Sequence, residues 1–182
     1  MKRRGLQAAC VVLLADVGVL AVGAGYAEEA GVGPATTLVE AVRDATEPFK
    51  NAEAAEAAGY SLTFGCVSGP QAGAMGIHFI NGDLVDDGIL DPMRPEALVY
   101  ELSNGQLQLL GVEYIVFAED WDANNEGEPM LMGQLLHYVG SPNRYRVPAF
   151  YELHVWAWKP NPSGTFADWH PEVACDDFTD EE

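Results

Sequence analysis

An alternating stretch near the C-terminus, residues 151–158, constrains the fold of this chain more than any other feature of its sequence. Successive side chains of a β-strand point to opposite faces, so the alternation predicts a strand whose two faces differ in character. One face is apolar and suits a core: Tyr151, Leu153, Val155 and Ala157. The opposite face carries two ionisable groups beside two large rings: Glu152, His154, Trp156 and Trp158. Because a purely structural strand seldom carries such a set, this mixed face is the first candidate for a functional site.

Two further stretches predict strands that pair in an antiparallel sheet. Asn104-Gly105 is a strong signal for a two-residue hairpin turn, and it separates the strand-like runs 97–102 and 106–117. Upstream, residues 74–80 read as another strand, in which His78 shares a face with small residues. With the strand over 151–158 and a short extended piece over 61–66, these stretches predict a mainly antiparallel sheet of about five strands.

A helix is predicted before the first strand, over residues 36–58. Thr37 and Glu40 have the spacing of a capping box, and Pro48 is expected to kink the helix or divide it in two. A second helix is predicted from Pro129 to Val139. The fold class is therefore α+β, with a mainly antiparallel sheet and a packed N-terminal helix. A small cupin-like β-barrel is the alternative.

The N-terminus has the pattern of a secretory signal peptide. Three basic residues precede an apolar run, and the small residues Gly25 and Ala27 occupy positions −3 and −1 of a cleavage site after Ala27. We therefore expect a signal peptide over residues 1–27 and a flexible lead-in over 28–35. A single α+β domain is expected over residues 36–175, followed by a disordered acidic tail over 176–182. The predicted location is secreted or periplasmic.

Cleavage of the signal peptide would remove Cys10 and leave Cys66 and Cys175 as an even pair. In an oxidising compartment such a pair predicts a disulfide bond. The alternative is two separate buried thiols.

The charge of the chain is strongly acidic, with 9 lysine and arginine residues against 28 aspartate and glutamate residues and a net charge of −19. Nucleic acid and anionic membrane surfaces would be repelled by this field, so neither is an expected partner. A small-molecule ligand remains compatible with the charge. The sequence leaves the oligomeric state undetermined.

Three residues on separate predicted strands form a candidate metal site: His78, Glu113 and His154. Two imidazoles and a carboxylate suit a divalent transition metal such as Zn, Fe, Mn or Cu. Glu152 is the candidate for a further ligand or for the general base, and a metal centre of this kind can activate water or hold a small oxygenated ligand.

Two other functions fit the same residues. In a non-catalytic binding protein, Trp156 and Trp158 would form a stacking platform for a planar ligand. In a structural domain, His154 and Glu113 would be a buried hydrogen-bonded pair and the tryptophans would belong to the core.

Several short motifs resemble those of a family of uncharacterised exported bacterial proteins. They are the G-x-M-G-x-H pattern over residues 73–78, Gly-Val-Glu-Tyr over 111–114, and Glu-Leu-His-Val-Trp over 152–156. The resemblance covers most of the chain after the signal peptide. It implies an exported protein and supplies no activity.

Overall fold

The structure is a computed structural model that describes residues 37–69 and 71–179. The predicted signal peptide, residues 1–27, and the predicted lead-in, residues 28–35, lie outside the described residues. In the described part of the chain, no helix combines the length and the apolar character needed to cross a membrane.

The centre of the fold is a curled, six-stranded antiparallel sheet with the strand order β1-β2-β3-β4-β8-β7. Its strands are β1 (Ser61–Gly69), β2 (Gly73–Ile80), β3 (Ala97–Ser103), β4 (Gln106–Phe117), β7 (His137–Val139) and β8 (Phe150–Val155). The two edge strands do not pair with each other among the described residues, so the sheet is an open half-barrel. The predicted α+β class is confirmed, with six strands in this sheet where about five were expected.

The predicted N-terminal helix is present but divided. It consists of α1 (Leu38–Thr46), a 3₁₀ helix (Glu47–Lys50) and α2 (Ala52–Ala57). The division falls at Pro48, which has no backbone N–H to donate. The capping box is confirmed: the Thr37 hydroxyl accepts from the Glu40 N–H, and the Glu40 carboxylate accepts from the Thr37 N–H. Two short helices, α3 (Gly82–Asp87) and α4 (Ala118–Asn124), follow β2 and β4.

The hairpin between β3 and β4 turns at the predicted position. Asn104 and Gly105 have positive φ angles of 53° and 74°, as a two-residue turn of type I′ requires, and Ser103 pairs with Gln106. Further along, a β-bulge places Leu110 opposite no residue of β3. Leu110 therefore packs beside Trp156. Leu109 lies instead in the main core, on the face where uninterrupted alternation from Val112 and Tyr114 would place Leu110.

The predicted helix over residues 129–139 is wrong. Its place is taken by a small ribbon of β5 (Met130–Leu131) and β6 (Gln134–Leu135), and then by the edge strand β7. Met132 and Gly133 turn the ribbon with positive φ angles of 47° and 87°. A short apolar run does not by itself distinguish a helix from a tight ribbon, and the glycine in its middle favours the turn.

The main core lies on one face of the sheet, under α1 and α2. Buried side chains of β2, β3, β4 and β8 form it with the helices, including Phe79, Tyr100, Tyr114 and Leu153. The chain after β8 covers part of the opposite face, where Trp156 and Val173 pack on Ala74, Val99 and Leu110.

The C-terminal segment is attached to the sheet at two points. The predicted disulfide between Cys66 and Cys175 is confirmed, with Cα atoms 5.4 Å apart. Ala74 and His170 also exchange backbone hydrogen bonds of 3.2 and 3.0 Å. The tail, predicted to be disordered over residues 176–182, is described as far as Thr179, and half-buried Phe178 packs on the main core. The prediction of a disordered tail did not take this apolar contact of Phe178 into account.

Candidate metal centre

The sheet brings the candidate ligands together on the face opposite the main core. Glu113 on β4 lies directly across from His154 on β8, and His78 on β2 lies across from Val99 on β3. Strands two places apart in a sheet are separated by ~10 Å. His78 and Glu113 nevertheless meet, because the sheet curls and both side chains extend over β3.

The distances within this cluster are close to those of a metal site. The Nε2 atom of His78 is 3.5 Å from the Oε2 atom of Glu113, and the Nε2 atom of His154 is 4.0 Å from the same oxygen. The three residues offer ligand atoms that all lie within 4.8 Å of one another. Tetrahedral ligand atoms at ~2.1 Å from a zinc ion are about 3.4 Å apart. A movement of a few tenths of an ångström to about 1 Å would therefore close the cluster on an ion.

The two histidines have buried nitrogen atoms without hydrogen-bond partners among the described residues: Nδ1 of His78 and both ring nitrogens of His154. His170 is a contrast within the same chain. Its Nε2 atom lies 3.1 Å from the Pro160 carbonyl oxygen, and its Nδ1 atom accepts from the Glu172 N–H. His170 therefore has the contacts of a structural histidine, whereas neither ring nitrogen of His154 has a hydrogen-bond partner among the described residues.

Burial keeps the cluster close to neutral. Burial lowers the pKa of His78 to about 4 and holds the pKa of His154 well below its usual value. Burial, reinforced by the neighbouring Glu152 carboxylate, raises the pKa of Glu113 well above its usual range. The pKa of Glu152 is also raised, mainly by burial. At neutral pH the site thus offers neutral imidazoles, which can bind a metal, beside a carboxyl group whose protonated form is favoured by burial.

Glycine at position 76 allows the backbone to approach closely just before His78. Gly76 has a φ angle of +108°, and a Cβ atom there would lie 2.6 Å from the Tyr100 carbonyl oxygen. The neighbouring Met75 is buried, with its sulfur 3.3 Å from the Tyr145 hydroxyl.

A second group of possible ligands shares His154 with the first. Glu152, His154 and Asp168 offer ligand atoms within 4.8 Å of one another. Asp168 Oδ1 lies 3.9 Å from Nδ1 of His154 and 3.3 Å from Nδ1 of His137. His154 therefore faces Glu113 with one nitrogen and Asp168 with the other.

Asp168 and His137 are the residues of this site that sequence reasoning missed. His137 was assigned to a predicted helix, but it lies on β7 directly across from Glu152. Asp168 lies in a loop after β8, where no periodicity relates it to a strand. The only sequence signal near it is its position next to Trp169 and His170 in an otherwise turn-rich segment.

An apolar cavity of about 250 Å³ lies beside the first group of ligands, and both His78 and Glu113 contribute to its lining. The other lining residues include Phe64, Ile115 and Phe150. The cluster thus has one side on which a small molecule can approach.

The two tryptophans do not form the common surface expected of a stacking platform. Trp156 is 4% exposed and stacks on His154 at 6.3 Å between ring centroids. Trp158 packs against the main core, donates to Thr46 Oγ1 at 3.0 Å and lies under the Lys50 ammonium. The rings separate because β8 ends at Val155 and the alternation ends with it. The assignment of Trp156 and Trp158 as ligand-binding residues stays a prediction.

No protein-family model, curated protein or solved structure matches the chain. The resemblance to exported bacterial proteins accordingly stays a prediction, and the function is argued from the site alone.

Proposed function

We propose that this protein binds one divalent transition metal ion through His78, Glu113 and His154. The observation that carries the proposal is the convergence of three buried ligands, with histidine nitrogens that lack hydrogen-bond partners among the described residues. Each unpartnered buried polar group costs about 1–3 kcal/mol, and a bound ion removes part of that cost. The 4.0 Å between Glu113 and His154 is too long for the hydrogen bond that a purely structural pair would need.

Two imidazoles and one carboxylate suit Zn, Fe, Mn or Cu. Such an ion supplies Lewis-acid chemistry to water or to a small oxygenated ligand. Glu152 acts as the proton acceptor beside it, because its carboxyl group is buried near Glu113 and its Oε2 atom lacks a partner in the described part of the chain. A non-catalytic binding protein is the second candidate, and the adjacent cavity favours it.

Asp168 serves in this proposal as a positioning residue and not as a ligand. A metal-bound histidine commonly donates its other ring N–H to a carboxylate, which fixes the ring orientation. Asp168 faces Nδ1 of His154 and is 29% exposed, whereas the three ligands are buried. This division of roles leaves Nε2 of His154 free for the ion.

The proposed location is secreted or periplasmic. The disulfide between Cys66 and Cys175 supports it, because disulfides persist mainly in oxidising compartments. The predicted signal peptide agrees with it. A small molecule is the proposed partner, and the net charge of −19 argues against nucleic acid.

The first test is metal content, measured by elemental mass spectrometry on protein purified from an exporting host. The acidic surface attracts cations non-specifically, so the protein should be dialysed against high salt, which screens exposed charges. We expect about one equivalent of a transition metal per chain, as a single three-ligand centre implies.

Substitutions of the proposed ligands test where in the protein the ion binds. His78→Ala and Glu113→Gln should lose the metal while circular dichroism shows an intact fold. Glu96→Gln is the matched control, because Glu96 is equally buried but accepts from the Ile115 N–H and lies outside both ligand groups. Asp168→Asn should keep the metal with affinity reduced about 10- to 100-fold.

Two results would overturn the proposal. One is wild-type protein that takes up no transition metal even after reconstitution. The other is loss of the metal in Asp168→Asn with retention in His78→Ala, which would place the ion in the second group of ligands.

A further inference from the structure

The cavity beside the candidate metal centre has the features of a small-molecule site. Three of its lining residues are exposed to solvent, Thr63, Gly82 and Asp86, whereas the side chains of His78 and Glu113 are buried and mark its inner end. Between them the walls are apolar: Phe64, Ile80, Val85, Ile115, Phe117 and Phe150. A ligand that enters from the exposed side would reach the metal ligands last.

The volume of the cavity limits the size of the ligand. Sites for drug-sized molecules occupy roughly 300–1,000 Å³, and an apolar cavity of about 150 Å³ is enough for benzene. At about 250 Å³, this cavity accommodates a single six-membered ring with one or two small substituents. The phenylalanine rings in its walls favour a flat aromatic ligand, which they can meet edge to face.

The charges around the cavity select for a neutral ligand. Asp86 and Glu113 line it, and none of the described lining residues is a lysine or arginine. A carboxylate ligand would therefore find no cationic side chain in the described lining, whose polar residues are Thr63, His78, Asp86, Glu113 and Tyr145, in a chain of net charge −19. The polar atoms at the inner end require a single polar group on an otherwise apolar molecule.

We infer that the cavity binds a neutral monocyclic phenol, with the ring between the apolar walls and the hydroxyl group at the His78–Glu113 end. The inference rests on the proposed function for one contact only, the bond from the hydroxyl oxygen to the metal ion. The apolar walls act on the ring whether or not an ion is bound.

Calorimetric titration with phenol tests the inference on metal-free and zinc-loaded protein. Phenol should bind one-to-one in both forms, and about tenfold more tightly in the zinc form, because the ion adds a charged contact to the oxygen. Anisole has the same ring, but its oxygen carries a methyl group, so zinc should change its affinity little. Benzoate has the same ring and a negative charge, and it should bind the metal-free protein about tenfold more weakly than phenol.

Two variants test the location. Val147→Trp and Ile115→Trp each place a large ring in the cavity and should weaken phenol binding at least about tenfold. Both positions lie outside the three proposed metal ligands, and either variant serves if the other fails to fold. Leu135→Trp is the control, because Leu135 is half exposed on the ribbon, away from the cavity.

The outcomes separate this inference from the proposed function. Protein that takes up one equivalent of metal but binds no phenol in either form overturns the inference and leaves the metal site intact. Protein that binds phenol but never takes up metal supports the ligand class and overturns the metal site. Phenol binding that survives both Val147→Trp and Ile115→Trp overturns the location.

Discussion

Burial favours the uncharged form of each of the three proposed metal ligands. His78 and His154 are neutral at physiological pH, because burial opposes their protonation. Burial favours the protonated form of Glu113 in the same way, since it raises the pKa of that carboxyl group. The proton that a metal ion must displace therefore belongs to a carboxyl group and not to an imidazole.

This assignment predicts how metal binding depends on pH. Zinc affinity should rise with pH above the ordinary pKa of a carboxyl group, as Glu113 loses its proton, and about one proton should be released per ion. Calorimetry in buffers of different ionisation enthalpy measures that release. In Glu113→Gln the release should disappear along with most of the affinity. A pH profile governed by two histidine protons near pH 6.5 would contradict the assignment.

A second buried carboxyl group, Glu96, predicts a pH-dependent stability. Burial raises the pKa of Glu96 from 4.5 to about 8, so the folded state holds a proton that the unfolded state loses above pH 4.5. Unfolding then releases a proton, and rising pH favours it. Relative to Glu96→Gln, the wild type should lose about 1.4 kcal/mol of unfolding free energy per pH unit in this window, and the loss should level off above pH ~8.

Chemical denaturation at a series of pH values measures that difference. The exposed Glu119→Gln is the control, and it should follow the wild-type profile. Parallel profiles for wild type and Glu96→Gln between pH 4.5 and 8 would refute the raised pKa.

The strands position the site by register. The pairing of β4 with β8 places Glu113 opposite His154, and this pairing requires a close approach at Gly111. A Cβ atom at Gly111 would overlap the carbonyl oxygen of Val155 at the end of β8. Glycine at this position is therefore a requirement of the sheet and not of the metal chemistry.

Gly111→Ala should consequently destabilise the fold by about 1–3 kcal/mol and reduce metal occupancy at the same time, because β4 must shift against β8. Thermal unfolding and metal content measure the two effects. Gly82→Ala is the matched control: a Cβ atom there meets no described atom within 4 Å, so stability should not fall. Unchanged stability in Gly111→Ala would show that the strands adjust without cost.

At the scale of the whole molecule, the C-terminal segment after β8 covers part of the sheet face that carries the candidate metal centre. The disulfide from Cys66 on β1 to Cys175 and the backbone pairing of His170 with Ala74 attach this segment to the sheet. The segment carries Asp168 to His154. Stability and site geometry are thereby linked through one covalent bond.

Removing the disulfide with the double substitution Cys66→Ser and Cys175→Ser should lower the free energy of unfolding by about 4 kcal/mol, since the bond closes a long loop. Metal affinity should also fall, because Asp168 is held less firmly beside His154. Denaturant titrations with and without a reducing agent measure the effect. A reducing agent should destabilise the wild type and leave the double variant unchanged; an equal response of both proteins would contradict the assigned role.

Local pattern was sufficient to predict several elements. Alternation predicted the strand that carries Glu152 and His154, Asn104-Gly105 predicted the hairpin, and the capping box predicted the start of α1. These features depend on contacts between residues close in sequence or on the two faces of a single strand. The disulfide was predictable because only two cysteines follow the predicted signal peptide.

The sequence by itself therefore determined strands β2, β3, β4 and β8 and the identity of the main candidate ligands, because side-chain alternation is a local property. Only the tertiary structure decided that His78 reaches Glu113 across β3, because that contact depends on strand order and sheet curl. It also decided that Asp168 faces His154, since a loop residue has no periodicity to place it. The separation of Trp156 from Trp158 has the same physical cause: alternation ends where strand pairing ends, and the following contacts are set by the rest of the fold.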